Sequence, residues 1–183
     1  VFCMSESPDT LNIRIYHNQH NEAKIVDLRE YIIGAVAAAM PPEFPKEALK
    51  AQTICCRTNA VKHMGLFGGN GCKRQQGFDL CSDPNHCQGY MDPEERQKQW
   101  GTMFEEYQAK IIQALEDTAD TILMYNDSII EAVHHCACGG RTEDSENVWG
   151  NKVSYLRRVE CIYCKDSPYW CTAKFFSIRE LKR

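Results

Sequence analysis

The sequence lacks a run of about 18 or more consecutive apolar residues, the minimum for a membrane-spanning helix, although 43% of its 183 residues are hydrophobic. It also lacks a surplus of basic residues, because 21 Lys and Arg stand against 25 Asp and Glu and give a formal net charge of −4. We therefore expect no membrane span. We also expect no nucleic-acid partner, because such a partner requires a basic face.

Internal repeats and low-complexity linkers are missing from the sequence as well. The length suits one domain with a sizeable core. We expect a single domain over 1–183, in which 65–92 forms a loop insertion rich in cysteine and histidine.

Local patterns predict a mixture of helices and strands. Residues 11–16 alternate between apolar and polar side chains as a strand does, and Asn126-Asp127 indicates a hairpin. Apolar residues at helical spacing predict three helices, over 27–40, 45–64 and 93–118. The expected fold class is α+β, with helices packed on a small, mostly antiparallel sheet.

The first predicted helix is rich in small residues between Gly34 and Ala39, which indicates that another segment packs very close to it. Asp27 is its expected N-cap, and Glu30, three residues on, is the expected partner in a capping box. Pro41-Pro42 ends the helix.

Five blocks of the sequence, taken in order, match the motifs of a known protein family. The first is LREYIIGAVAAAMP at 28–41, beside a family pattern of the form LxEYLxGVVAAEMP, and the second is FPKEALKAQT at 44–53, beside FPxEALKAQA. The others are DLC and HCQGY within 79–90, HCACGGRTEDSENVW at 135–149 and YLRRV at 155–159. Together the blocks span most of the chain, and they resemble the stage II sporulation protein D family.

The resemblance implies a peptidoglycan lytic transglycosylase. Such an enzyme cleaves the bond between N-acetylmuramic acid and N-acetylglucosamine and leaves 1,6-anhydro ends. One glutamate first protonates the leaving oxygen and then accepts the proton of the C6 hydroxyl. This acid requires a raised pKa, which an apolar setting supplies.

Position 39 departs from the family pattern. Ala39 stands where the family has its catalytic glutamate, so the chain as given is expected to bind glycan without cutting it. A substitution that removes the acid and a natural inactive homologue are both open explanations. Glu43 is disfavoured as a replacement acid, because Pro41-Pro42 aims it in a different direction.

The resemblance also marks residues expected to bind substrate. Lys50 and Arg57 lie seven residues apart on one face of the second helix and suit a carboxylate or sugar oxygens. The alternative for this pair is an ordinary solvated basic stripe. The further candidates are Gln52, His135, Ser145 and Trp149. Trp149 could instead be buried in the core.

Eleven cysteines are present, and the odd number prevents complete pairing within one chain. Cys72, Cys81, His86 and Cys87 are ligands typical of a structural Zn²⁺ site. The Cys-x4-His-Cys spacing resembles the zinc loop of clostridial family members, in which an upstream histidine completes the site. Gln75 occupies that place here, and Cys72 is the expected substitute. Free thiols and a disulfide are the alternatives.

A second set consists of Cys136, Cys138, Cys161 and Cys164. The CxC and CxxC spacings permit a second metal site or two disulfides, and disulfides or free thiols are preferred. Cys171 has no assigned role.

Peptidoglycan glycan strands that lack stem peptides are the implied ligand, and a cell-wall amidase is a further candidate partner. The implied location is the cell envelope outside the cytoplasm, with the native protein anchored in the membrane or secreted. The alternative function is a non-enzymatic peptidoglycan-binding module similar to the amidase enhancers of the family, in which Ala39 would be natural.

Overall fold

The computed structural model describes residues 2–3, 11–168, 170 and 175–181, so Cys171 lies outside the described residues. The chain divides into two compact units, one within 1–133 and the other within 134–183. None of the helices in the described part is both long enough and apolar enough to cross a membrane.

The first unit combines helices with small sheets. Its strands are β1 (Phe2–Cys3), β2 (Asn12–His17), β3 (Glu22–Asp27), β4 (Leu80–Cys81), β5 (Thr121–Ile122), β6 (Met124–Tyr125) and β7 (Ser128–Ile129). Its helices are α1 (Leu28–Ala39), α2 (Lys46–His63), α3 (Pro93–Trp100) and α4 (Phe104–Asp117). This mixture is consistent with the predicted α+β class.

The largest sheet has the strand order β3-β2-β4. β2 and β3 are antiparallel over their whole length, whereas β4 runs parallel to β2. On β2, buried Ile13, Ile15 and His17 alternate with more exposed residues, so one face of the sheet is buried. The predicted hairpin is confirmed: β6 and β7 pair across Asn126 and Asp127, both of which have positive φ.

Helix α1 begins at the predicted cap. The Asp27 carboxylate accepts hydrogen bonds from the backbone N–H groups of Arg29, at 2.9 Å, and Glu30, at 3.3 Å. The reciprocal half of the expected capping box is replaced by a long-range ion pair, because the Glu30 carboxylate binds the buried guanidinium of Arg96. At the other end, extended backbone at Met40 leads into the two prolines.

The predicted close approach to α1 is made by the segment 88–91. A methyl group added at Gly34 would lie 2.4 Å from the carbonyl oxygen of Met91 and 2.4 Å from the ring of Tyr90. The Met91 N–H donates to the Gly34 carbonyl at 3.1 Å. Tyr90 also stacks on Tyr31, with ring centroids 5.5 Å apart. Only glycine at position 34 leaves room for this contact.

The single long helix predicted over 93–118 is two helices. A 3₁₀ turn at Gly101–Met103 separates α3 from α4. Gly101 has a φ of 53° and a ψ of −121°, a backbone conformation open mainly to glycine. The apolar helical spacing continues through the break, which is why the sequence pattern alone does not reveal it.

The second unit contains two short helices among its described residues, α5 (Ser145–Trp149) and α6 (Ile178–Leu181). Helix α5 ends at Gly150, whose φ of 78° is the left-handed conformation common at helix C-termini. Elsewhere in this unit an isolated antiparallel bridge joins Arg141 and Glu160.

Gly34→Ala is expected to lower the free energy of unfolding by about 1–3 kcal/mol, because the new methyl group overlaps backbone and ring atoms in a packed contact. Urea unfolding followed by circular dichroism measures this change. Gly65→Ala is the matched control, since nothing lies within 4 Å of an added methyl there. Equal losses of stability in the two variants would contradict the packing constraint at Gly34.

Candidate functional site

The C-terminal end of α1 borders two neighbouring clefts in the first unit, which together are called the α1 groove. The first cleft, of about 530 Å³, is lined by Ala37, Ala38, Ala39, Met40, Pro41, Pro42, Glu43, Gln99, Trp100, Met103 and Tyr107. The second, of about 590 Å³, is lined by Gln19, Ala38, Ser82, Pro84, Gly89, Tyr90, Met91, Glu95, Lys98 and Gln99. Ala38 and Gln99 line both clefts, so the groove extends to either side of them.

Ala39 lies at the last turn of α1 and its side chain is partly exposed. It lines the first cleft together with the apolar side chains of Met40, Trp100 and Met103. The methyl group of Ala39 offers neither a proton nor a hydrogen bond to a ligand in this cleft.

The turn that follows α1 is held by side chains of α4. The Tyr107 hydroxyl donates to the Glu43 carboxylate at 2.8 Å. The Lys110 ammonium donates to the carbonyl oxygens of Pro42, at 2.7 Å, and Phe44, at 3.1 Å. These contacts fix the rim of the groove between the two prolines and the start of α2.

Glu43 is the carboxylate nearest in sequence to Ala39 on this rim. Its own backbone N–H and the Tyr107 hydroxyl lower the pKa of Glu43 from its ordinary value. The carboxyl group is therefore ionised near neutral pH. An ionised carboxylate accepts hydrogen bonds and does not act as a proton donor.

An aromatic pair lies beneath this rim. Trp100 is 8% exposed and meets Tyr107 edge to face, with centroids 5.9 Å apart. The sequence assigns both to the apolar face of a helix and does not reveal their place in the groove. The partner of the Tyr107 hydroxyl is 64 residues away in the chain, so no local pattern points to it.

The loop rich in cysteine and histidine, within 65–92, lines one side of the second cleft with Ser82, Pro84 and Gly89. A methyl group added at Gly89 would lie 3.3 Å from the side chain of Ala38. The segment therefore packs closely against the helix end that carries Ala39.

Cys72, Cys81, His86 and Cys87 converge in this segment, as predicted, with all four ligand atoms within 4.8 Å of one another. His86 Nδ1 lies 3.6 Å from Cys72 Sγ, 3.4 Å from Cys81 Sγ and 3.2 Å from Cys87 Sγ. Ligands of a tetrahedral Zn²⁺ ion, with bonds of about 2.0–2.3 Å, are separated by roughly 3.4–3.8 Å. The cluster can therefore hold a metal ion.

The surroundings lower the pKa of Cys72 and His86 and so favour their unprotonated forms, whereas burial raises the pKa of the Cys81 and Cys87 thiols. The backbone N–H of Gln75, the residue at the expected histidine position, donates to Cys72 Sγ at 3.3 Å. Burial, together with the nearby charge of Arg74, lowers the pKa of His86. A neutral imidazole with a free Nδ1 lone pair is the form that binds a metal.

Arg57 occupies a different setting from the one expected for a ligand-binding residue. Its side chain is fully buried, and its guanidinium donates to the carbonyl oxygens of Leu115, Thr118 and Thr121 at 2.8–3.3 Å. These carbonyls lie at the C-terminal end of α4 and just beyond it. Arg57 thus joins α2 to the end of α4, a role that the helical spacing in the sequence does not reveal.

The other two candidates on α2, Lys50 and Gln52, differ from Arg57 in their burial or in their hydrogen-bond partners. Lys50 is partly exposed and pairs with Glu47 at 3.0 Å. Gln52 is buried, and its amide donates to Cys56 Sγ at 3.4 Å.

In the second unit, the candidates differ in exposure. Ser145 is buried and its hydroxyl accepts from the Val153 N–H at 2.8 Å and from Arg157 at 2.9 Å. Trp149 is 56% exposed, so the alternative that places it in the core is wrong. His135 is exposed as well.

The first unit is thus an α+β domain with a groove at a helix end and a three-cysteine, one-histidine loop beside that groove. A sequence profile of the family described as stage II sporulation protein (SpoIID) matches residues 16–125, which include the groove and the loop. The chain belongs to this family.

Three relatives illustrate the extent of the similarity. Stage II sporulation protein D of Bacillus amyloliquefaciens is 32% identical over 98% of this chain and 51% of the relative. The protein of the same name from Bacillus subtilis (strain 168) is 34% identical over 94% of this chain and 50% of the relative. An amidase enhancer of Bacillus subtilis (strain 168) is 29% identical over 67% of this chain and 14% of the relative. The chain spans about half the length of the two sporulation proteins.

Arg57→Met is expected to lower the free energy of unfolding by about 1–3 kcal/mol, because buried carbonyl oxygens at the end of α4 lose their donors. Urea denaturation measures the loss. Lys50→Met is the control on the same helix and should change stability little, since Lys50 is partly exposed and its ion pair is at the surface. An Arg57→Met protein as stable as the parent would contradict the structural role of Arg57.

Proposed function

We propose that this chain is a peptidoglycan lytic transglycosylase domain in which Ala39 holds the place of the catalytic glutamate, so that it binds glycan strands without cutting them. The observation that carries the proposal is the location of Ala39 in the α1 groove, which has room on both sides of this helix end for an extended ligand. Membership of the sporulation family supports the choice of a cell-wall ligand.

The proposed reaction requires one carboxyl group at position 39. It would protonate the leaving glycosidic oxygen and then, as a carboxylate, remove the proton of the C6 hydroxyl, which closes the 1,6-anhydro ring without water. Low local polarity raises the pKa of a carboxyl group and keeps it protonated near neutral pH. Met40, Trp100 and Met103 in the first cleft are apolar neighbours of the kind that this requires.

The present side chains can bind a glycan but cannot perform the first step. Ala39 has no proton to give, and the pKa of Glu43 is lowered, so Glu43 does not replace the acid. Gln99 and Lys98 offer donors for sugar hydroxyls and carboxylates, and apolar walls suit the flat faces of sugar rings. We therefore assign glycan binding to the groove and the loss of cleavage to position 39.

Additional glycan contacts are proposed for exposed side chains. In the second unit His135 and Trp149 are exposed, and in the first unit Lys50 is partly exposed, so each offers surface for a glycan contact within its own unit. Ser145 and Arg57 contribute chiefly through the contacts that they make within the chain.

Zn²⁺ is the proposed ion for the first cysteine cluster. Three thiolates and one imidazole form a closed structural site, in which no position remains for a reacting water. The ion would tether the segment that lines the second cleft and would take no part in the chemistry. We further propose a location in the cell envelope and a ligand without stem peptides.

A non-enzymatic glycan-binding module is the second candidate function. The amidase enhancer with 29% identity over 67% of the chain favours it, and so does alanine at position 39. In that case a cell-wall amidase would be the partner, and a glutamate at position 39 would not confer cleavage.

Ala39→Glu is expected to release 1,6-anhydro products from glycan strands that lack stem peptides, because it supplies the general acid and base. We expect a rate at least about 10²–10⁴ times that of the parent chain, the usual contribution of such a group. Mass spectrometry of the released fragments measures the products.

Ala39→Gln is the matched control, since it has nearly the same shape as glutamate but no acidic proton. It should bind glycan and release nothing. If the Ala39→Glu protein also binds glycan and releases nothing, the enzyme proposal fails and the binding-module alternative is favoured.

Cys87→Ser is expected to lower the bound zinc by about one ion per chain and to lower the melting temperature, because one of the ligands of a closed site is lost. Elemental analysis and a thermal melt measure the two effects. Cys55→Ser, on α2 and outside the clusters, should leave both unchanged. Unchanged zinc in the Cys87→Ser protein would overturn this assignment.

A further inference from the structure

A second group of thiols converges in the second unit. The sulfur atoms of Cys138, Cys161 and Cys164 all lie within 4.8 Å of one another, and Cys138 and Cys164 are 3.8 Å apart. Cys138 is buried, and the other two are partly buried. Cys136, two residues before Cys138, is exposed and is not part of this group.

Backbone hydrogen bonds hold the two halves of this group side by side. The Cys161 N–H donates to the Gly140 carbonyl at 2.9 Å, and the Thr142 N–H donates to the Val159 carbonyl at 3.0 Å. Arg141 and Glu160 form an antiparallel bridge between these two bonds. These backbone contacts thus hold the segment that follows Cys138 beside the segment that leads into Cys161 and Cys164.

The turn after Cys138 also depends on glycine. Gly140 has a φ of 98°, and a methyl group added there would lie 2.8 Å from the ring of Trp170. A residue with a side chain would strain this turn and move Cys138 relative to Cys161 and Cys164.

Backbone N–H groups point at the sulfurs. The amides of Tyr163 and Cys164 hydrogen-bond to the Cys161 sulfur. The Gly140 amide makes a similar contact with the Cys138 sulfur. The same feature occurs in the first cluster, where the Gln75 amide donates to Cys72. Amide donors stabilise thiolates, the form of cysteine that binds metals.

The distances distinguish a metal site from a disulfide. A disulfide joins only two sulfurs, at about 2.0 Å, and would leave the third thiol unpaired. Two thiolates on one tetrahedral ion, with metal–sulfur bonds of about 2.3 Å, lie roughly 3.8 Å apart. The Cys138–Cys164 separation equals that second value. All three cysteines are free in this structure, which agrees with the free thiols and not with the disulfides, the two states preferred from sequence.

We propose that Cys138, Cys161 and Cys164 hold a second soft divalent metal ion of the Zn²⁺ type. This ion is separate from the one assigned to the first cluster, because its ligands all belong to the second unit, beyond the region matched by the family profile. The described part of that unit has little regular secondary structure. A metal ion would stabilise such a unit in place of a larger core.

The full chain, purified from cells supplied with zinc, is the material for the test. We expect about two zinc ions per chain by elemental analysis, one held by the four ligands of the first cluster and one by the three thiolates of the second. The double variant Cys161→Ser and Cys164→Ser should keep about one ion, bound by the first cluster. The double variant Cys81→Ser and Cys87→Ser should also keep about one ion, now bound by the second cluster, and Cys55→Ser should keep both.

A second measurement uses the unaltered chain, so that it does not depend on the folding of a variant. Cysteines are alkylated with and without zinc and located by peptide mapping. Zinc should protect Cys138, Cys161 and Cys164 and should leave the labelling of exposed Cys136 unchanged. The proposal would be overturned by equal labelling of the three cysteines in both conditions, or by a disulfide among them in the zinc-loaded protein. Unchanged zinc in the double variant Cys161→Ser and Cys164→Ser would also overturn it.

Discussion

The close contact between α1 and the segment 88–91 is the constraint on which the rest of the first unit depends. Gly34 lets the backbone of Met91 and the ring of Tyr90 approach the helix directly. Gln88 in the same segment accepts hydrogen bonds from Tyr31 on α1 and from Asn59 on α2. One contact region therefore fixes the helix end, the loop that precedes α3 and the position of both relative to α2.

This contact also links the groove to the first cysteine cluster. Cys87 immediately precedes the packed segment, and Gly89 within it meets Ala38 at the helix end. A metal ion on the cluster would hold one side of the segment, and α1 holds the other. With such an ion bound, the wall of the second cleft would be fixed without a long secondary-structure element, and a fixed wall lowers the entropic cost of binding an extended ligand.

Sequence patterns predict the structure correctly where the signal is local. Helical spacing and proline positions give α1 and α2, the Asn126-Asp127 pair gives the hairpin, and ligand spacing gives the first cluster.

Sequence patterns fail where contacts between distant parts of the chain determine the structure. Glu30 pairs with Arg96, 66 residues away, and not with the backbone at the start of its own helix. A helical stripe cannot show that Arg57 is buried against the end of α4, and the apolar pattern runs through the break at Gly101. CxC and CxxC spacings alone leave disulfides, free thiols and a metal ion open, whereas the structure shows three free thiols whose sulfur atoms converge.

The central claim is that the groove beside Ala39 binds a glycan strand that it cannot cut. The most direct test is a crystal structure of the unaltered chain with a short peptidoglycan glycan that lacks stem peptides. We predict an intact glycan strand that occupies both clefts, with a glycosidic oxygen next to the methyl group of Ala39. A strand bound away from the α1 groove, or a cleaved strand within it, would contradict the account.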